Sequence, residues 1–391
     1  MLTSLETGIL TLIRNALNGE KRPLPADFDW EMAYKFGKRH QILPILYYGG
    51  AHLEELVNSA IGTKFLMASM NLASFSENQL YEINALTSVF EENKIEYLKL
   101  KGSNLKGLYP HPEMRIMSDA DILIREDQMP QIKGIMKALG YEYLVSSDHE
   151  WEWKKPELMV ELHKRIIPSY QTDLYDYFGN GWKLAKKVEG KSEYVMSKED
   201  EFIYLFAHLV KHYRDAGIGI KHFVDVYVFL NANPSLDMEY VINAFKKLKL
   251  YAFFENTQKM LNAWFCDTGW DEISEFITLK VFESGVYGQK LASLKSTALR
   301  NQKKGKRKKG KVGKFFSRVF PPLSTMKNLF PILDKAPILL PFMWIWRIIR
   351  LIFTGKDNYK KYKEESKIEI SDQEVSEYQC ELNYVGLDYN F

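Results

Sequence analysis

The run Arg115-Ile-Met-Ser-Asp-Ala-Asp-Ile-Leu-Ile124 constrains this chain more than any other segment. Side chains of an extended strand alternate between faces, so Asp119 and Asp121 point one way while Ile122 and Ile124 point into a core. Two carboxylates on one strand face can share a divalent cation. Mg²⁺ is usually held by one or two carboxylates together with substrate phosphates, so the chemistry that suits such a strand is transfer of a phosphoryl or nucleotidyl group. Acidic pairs at this spacing also occur in solvated turns, which makes the neighbouring segments decisive.

Upstream, Ile95-Glu-Tyr-Leu-Lys-Leu100 is short, apolar and rich in strand formers, and it runs directly into Lys101-Gly-Ser-Asn-Leu-Lys-Gly107. This pattern predicts strand, turn and helix in succession. A Gly102-Ser103 turn at a helix start exposes backbone N–H groups that suit phosphate oxygens, with Lys101 beside it as a phosphate contact. Downstream, Leu158-Met-Val-Glu-Leu-His163 alternates as a further strand, and Glu161 is its one carboxylate between apolar residues. As a sheet neighbour, Glu161 can supply a third metal ligand. Arg115, four residues before Asp119, can orient the carboxylates or meet a phosphate bidentately. His163 shares the strand face of Glu161, where it either touches the nucleotide or acceptor or pairs with a nearby carboxylate. Lys99 reads as a surface residue.

Together these residues resemble a known family. Leu100-Lys101-Gly102, Leu108-Tyr109-Pro110, Arg115, the Asp119 and Asp121 pair, and Glu161-Leu162-His163 are similar to the motifs of the poorly characterised bacterial nucleotidyltransferases of the DNA polymerase β superfold. Arg39-His40-Gln41-Ile42-Leu43-Pro44-Ile45-Leu46-Tyr47 is similar to a segment of that family's N-terminal helices. His208-Leu-Val-Lys-His212, followed by Asp225, is similar to its helical region after the sheet. The resemblance spans residues 30 to 290. It implies a minimal sheet packed on helices, Asp119, Asp121 and Glu161 as the catalytic metal triad, and a Gly102-Ser103 turn cradling the triphosphate of an NTP. The chain departs from the wider superfold in the longer connection, 109–115, between that turn and the acidic pair.

At 391 residues, with 46% hydrophobic and 26% charged residues, the composition suits a folded protein with a large core. Two cysteines, Cys266 and Cys380, exclude a disulfide scaffold and are too few for an unaided zinc site. The start, Met1-Leu-Thr-Ser-Leu-Glu-Thr-Gly, lacks a basic, apolar leader, so a reducing, cytoplasmic compartment is expected.

Four regions are expected along the chain. Residues 1–93 are helical, with apolar spacing of three and four over 5–17 and 53–90 and a break at Pro23-Leu-Pro25. Residues 94–197 form a catalytic core, with strands over 95–100, 116–124, 141–145, 150–154 and 157–163 and helices over 103–109 and 126–139. Residues 198–295 return to helix behind a start signal at Ser197. Residues 296–391 carry a basic loop and a helical extension.

Within that last region, 301–314 packs eight Lys or Arg among three glycines. It reads as a solvated loop, with weak contact to an anionic membrane surface or nucleic acid through 303–314 as the functional alternative. The apolar run 336–353 is interrupted by Pro337, Pro341, Arg347 and Arg350, too broken to span a membrane. A buried C-terminal helix is expected there in preference to an interfacial one. His208 and His212 have metal-ligand spacing on a helix, yet no Glu follows His208 as in a metalloprotease, so polar packing is expected. Asp148, His149 and Glu150 read as a turn.

The fold expected is α+β, a small mixed β-sheet nucleotidyltransferase core flanked by N- and C-terminal helical regions. The expected activity is Mg²⁺-dependent (or Mn²⁺-dependent) transfer of an NMP from an NTP, ATP foremost, to a small molecule or protein. Catalytic and metal roles fall to Asp119, Asp121 and Glu161, and nucleotide binding to Lys101, Gly102, Ser103, Arg115 and His163. The alternative is a non-catalytic module that docks on a membrane or nucleic acid through its basic loop and apolar C-terminal helix.

Overall fold

The computed structural model describes residues 2–285, 288–303, 320–330, 332–354 and 370–388. The N-terminal periodicity forms α1 (Ser4–Asn18), α2 (Trp30–His40), α3 (Leu43–Gly50), the single turn α4 (Glu54–Val57) and α5 (Ala60–Glu92). A capping box opens α1: the Thr3 side chain accepts from the Glu6 amide, and the Glu6 carboxylate accepts from the Thr3 amide. The periodic stretch 53–90 is two helices, because Ser59 adopts extended geometry and its hydroxyl caps the amide of Gly62, which restarts the helix as α5.

At the end of α2, His40 is fully buried, stacked on Phe36 with ring centroids 3.9 Å apart, and its Nδ1 accepts from the Ile220 amide at 3.3 Å. Burial, and then the charge of Arg39, push its pKa down to about 3 from an ordinary 6.5. Below 6.5 the unfolded chain takes up a proton that the folded chain refuses until about 3, so stability is lost as pH falls through that window. Between pH 6.5 and 4.5 the wild type should lose about 2 to 3 kcal/mol more than His40→Gln, measured by urea unfolding at each pH.

The central block contains β1 (Tyr97–Lys99), α6 (Gly102–Leu105), β2 (Ala120–Ile124), α7 (Met129–Ala138), β3 (Glu142–Ser146), β4 (Glu150–Lys154) and β5 (Met159–His163). The sheet order is β1-β2-β5-β4-β3, with β2 and β5 parallel and every other pair antiparallel. Period-two alternation sorts the residues between its faces. Ala120, Ile122 and Ile124 of β2, Val160 and Leu162 of β5, and Trp151 and Trp153 of β4 join one core with Ile83, Leu86 and Phe90 of α5 and Ile132 and Met136 of α7. Asp121, Glu161, His163, Glu150 and Glu152 are their alternating neighbours, so they belong to the opposite face.

That polar face lies under the C-terminal helices. After α8 (Thr172–Phe178) and the hairpin β6 (Ala185–Lys187) and β7 (Tyr194–Met196) come α9 (Lys198–Ala216), α10 (Ile220–Ala232), α11 (Met238–Lys247), α12 (Tyr251–Phe265), α13 (Glu272–Glu283) and α14 (Lys290–Lys303). Ser197 caps α9 by accepting from the Asp200 amide. Apolar residues of α9, including Phe202, Phe206 and Leu209, join Leu98, Leu100 and Leu123 in a second core.

Three local expectations are corrected. Glu150 opens the strand expected over 150–154, so the turn expected over Asp148, His149 and Glu150 is confined to the first two. Lys99 is half-buried and pairs with Glu193 at 2.9 Å. Over its described side chains the helix Leu340–Thr354 is not buried: Phe342, Ile345, Trp346 and Ile349 are exposed, as is Ile338 just before it. The basic residues 304–314 lie outside the described residues.

Candidate active site

Parallel pairing of β2 and β5 sets Asp121 directly opposite Glu161, and antiparallel pairing of β5 and β4 sets His163 opposite Glu150. Opposed residues in adjacent strands bring their side chains together, so three polar groups converge without any loop being involved. The ligand atoms of Asp121, Glu161 and His163 lie within 4.8 Å of one another. His163 Nε2 is 2.8 Å from Asp121 Oδ1 and 3.4 Å from Glu161 Oε2. Asp119 stands one residue ahead of β2, beside this set and coupled to it electrostatically.

Lys101 enters from the end of β1. Its backbone has φ 38° and ψ −106°, a conformation strained for any residue with a Cβ, and it is the N-cap of α6. Lys101 Nζ is 3.2 Å from Asp121 Oδ1, 3.0 Å from His208 Nε2 and 5.9 Å from the Tyr204 ring centre. Beyond it the amides of Gly102 and Ser103 are the first two of the helix and have no intrahelical acceptor. A Cβ on Gly102 would lie 3.1 Å from Met117 Sδ and 3.9 Å from Arg115 Nη1, so the turn is closely packed. The Ser103 hydroxyl is turned toward Met117 Sδ at 4.0 Å.

Arg115 makes no ion pair with Asp119 or Asp121. Its Nε donates to Asp225 Oδ1 of α10 at 2.7 Å and its Nη1 to the Ile116 carbonyl at 2.8 Å, while the Tyr109 hydroxyl donates to the same Asp225 oxygen at 2.7 Å. The long 109–115 connection is thereby tied at both ends to α10.

Charge and burial set the protonation of these groups. Burial, then the neighbouring Asp121 and Glu161, push the Asp119 carboxyl up to about 6. Burial would raise Asp121 also, yet Lys101 and His163 hold it well below the usual carboxylate range. Burial lowers His163, but its hydrogen bonds to Asp121 and Glu161 prevail and raise it to about 9. Lys101 is raised despite burial, chiefly by Asp121. Above it, burial and then lysine charges keep His208, His212 and His222 far below the ordinary imidazole value, and His212 Nε2 is 3.0 Å from His208 Nε2.

Lys101, Asp121, Glu161 and His163 therefore meet in one place, with Gly102 and Arg115 bordering it, while Asp119 lies near enough to feel the charge of Asp121 and Glu161 but is not one of the three mutually close metal-ligand groups. His208 makes the polar contact expected of it, with Lys101, whereas Lys211 and Tyr204 of the same helix α9, which also lie against the site, carry no signal in the sequence. The spacing of His208 and His212 was a signal of a shared face, but it did not say that the face meets Lys101.

No curated protein and no solved structure matches the chain. A family described as uncharacterised nucleotidyltransferase matches residues 26–266, from just before α2 to the end of α12. The match covers every residue of the site and stops short of α13, somewhat earlier than the motif resemblance suggested. With more than half of its length in that match and a mixed sheet presenting clustered carboxylates, the chain belongs to this nucleotidyltransferase family, whose members transfer phosphorus-containing groups using an NTP and a divalent cation.

Proposed function

We propose that the protein moves an NMP from an NTP, ATP foremost, to an acceptor on a small molecule or protein, with release of pyrophosphate. The observation that carries this reading is the Asp121 and Glu161 pair facing each other across β2 and β5 with Lys101 beside them. The donor set fits a hard cation: Asp119, Asp121 and Glu161 offer carboxylate oxygens, and the raised Asp119 marks negative charge that the site leaves uncompensated. Mg²⁺, or Mn²⁺ in its place, held by these three would neutralise charge at the α-phosphate.

The chain's own residues supply the rest. Lys101 and the Gly102 and Ser103 amides bind the triphosphate, and Arg115, fixed by Asp225, borders the same turn. The acceptor oxygen bonds to the α-phosphorus as the bond to the β-phosphate oxygen breaks, and the acceptor proton passes to Glu161. His163 holds Asp121 in orientation through its Nε2 hydrogen bond. On this reading 94–197 is the catalytic region, 198–295 its cover, 1–93 its support and 296–391 an extension.

The test is incubation of the full chain and cell extract with each α-labelled NTP, with Mg²⁺ and with EDTA. Metal-dependent label on a new product from one NTP is expected, and no transfer from any of them would overturn the assignment. Gly102→Val should weaken binding of that NTP by about tenfold or more, since the added side chain meets Met117 and closes the turn to phosphate; unchanged binding in a titration would move the triphosphate elsewhere.

A second reading concerns where the enzyme works. The exposed side chains Ile338, Phe342, Ile345, Trp346 and Ile349 recur at three and four residues, one apolar stripe along Leu340–Thr354. The other side is anchored, with Trp344 Nε1 donating to the Pro321 carbonyl at 2.8 Å. No helix among the described residues is long and apolar enough to cross a membrane. From 284 to 333 the sequence carries thirteen Lys or Arg and no Asp or Glu. A cationic stretch followed in sequence by a helix with one apolar face suits an anionic bilayer surface, whereas like charge disfavours pairing of two copies. Co-sedimentation with phosphatidylserine-containing vesicles, weaker with neutral ones, is expected. Phe342→Glu with Trp346→Glu should reduce it about tenfold or more. Binding to RNA but not to vesicles, or self-association through this face, would count against the membrane reading.

A further inference from the structure

The polar face of the sheet carries a second ligand cluster, which shares only His163 with the nucleotide site and uses the ring nitrogen that site leaves free. His149, Glu150 and His163 each offer one atom, all within 4.8 Å of one another. Two of them arrive by register, since Glu150 of β4 is the antiparallel partner of His163. His149 Nε2 is 2.8 Å from Glu150 Oε2, and His163 Nδ1 is 3.9 Å from the same oxygen. The His163 side chain is only 3% exposed, and its Nδ1 has no hydrogen-bond partner among the described residues. A buried imidazole nitrogen left without a partner beside a carboxylate and a second imidazole is where a cation belongs.

The surroundings already orient both rings. Ser147 Oγ lies 3.2 Å from His149 Nδ1 and donates to Glu150 Oε1 at 3.2 Å, and it also accepts from the His149 and Glu150 amides at 3.3 Å. With Nδ1–H directed at Ser147, His149 presents the Nε2 lone pair. With Nε2–H directed at Asp121, His163 presents the Nδ1 lone pair.

We propose that His149, Glu150 and His163 form a transition-metal site for Zn²⁺, separate from the Asp119, Asp121 and Glu161 site and joined to it by the two nitrogens of His163. Two imidazoles and one carboxylate are the donor set of an open zinc site, and two nitrogen ligands select against Mg²⁺. Zinc on Nδ1 leaves Nε2–H on Asp121, so zinc occupancy fixes the ring that orients Asp121.

The test uses full-length protein stripped with EDTA, loaded with Zn²⁺ in excess Mg²⁺, desalted and assayed for metal content, with Co²⁺ absorption as a second readout. One Zn²⁺ per chain is expected in the wild type and in Asp119→Asn. His149→Ala and Glu150→Gln, each checked for fold by circular dichroism, should each weaken zinc binding at least tenfold and remove the visible Co²⁺ bands. Because the readout is metal content, the result is independent of whether any nucleotide is transferred. Failure of the wild type to retain zinc against Mg²⁺, or retention by the folded His149→Ala or Glu150→Gln protein as by the wild type, would overturn the site. So would loss of zinc in Asp119→Asn.

Discussion

Asp121→Asn should abolish nucleotidyl transfer, by about a thousandfold or more, because the substitution removes the charge at the centre of the cluster. Asp121 is where Lys101, His163 and, across the strands, Glu161 all converge, so no neighbour can take its place. Asp119→Asn should lose turnover as well, with a different effect on the fold. The Asp119 carboxyl is held up at about 6 by burial and by repulsion from Asp121 and Glu161, so replacing it removes a like charge and leaves the apo protein as stable as before or more so. Rates with Mg²⁺ and the productive NTP, set against melting curves of both variants, separate the two effects. Full activity in either variant would end the assignment of these carboxylates to the metal.

The largest stability effect is expected at Asp225. Its carboxylate holds the buried guanidinium of Arg115 and the hydroxyl of Tyr109, and all three are nearly inaccessible to water. Asp225→Ala strands a buried cation, which costs about 3 to 5 kcal/mol when one partner of such a pair is removed. Urea unfolding should show this loss, and Arg115→Leu combined with Asp225→Leu should recover part of it, because two apolar groups leave no unpaired charge. A loss below about 1 kcal/mol in Asp225→Ala would mean that solvent reaches Arg115. The same tie holds the 109–115 connection against α10, so the single variant should also weaken NTP binding if Arg115 borders the triphosphate.

Much of the architecture was legible because it depends on periodicity alone. The alternation in 119–124 and 158–163 assigned the carboxylates and the apolar residues to opposite strand faces, and the spacing of three and four residues marked most helices. The helix break at Ser59 was missed because the apolar spacing continues across it, and only the backbone shows that the hydroxyl caps a new start. Glu150 was ambiguous in sequence, at once the start of the 150–154 strand and the end of a polar run 147–150 that resembles any turn; the register with His163 makes it part of a site.

What the sequence by itself determined is which residues can share a face: Glu161 with His163 on β5, and His208 with His212 on α9. Side-chain direction follows from local backbone geometry, which the order of apolar and polar residues dictates. Which faces meet was decided only by the tertiary structure. The adjacency of β2 and β5, the approach of His208 to Lys101 across 107 positions and the pairing of Arg115 with Asp225 across 110 rest on packing between distant segments. So does the exposure of Phe342, Ile345, Trp346 and Ile349, whose apolar sequence is equally compatible with a buried helix and is left open because the core packs elsewhere.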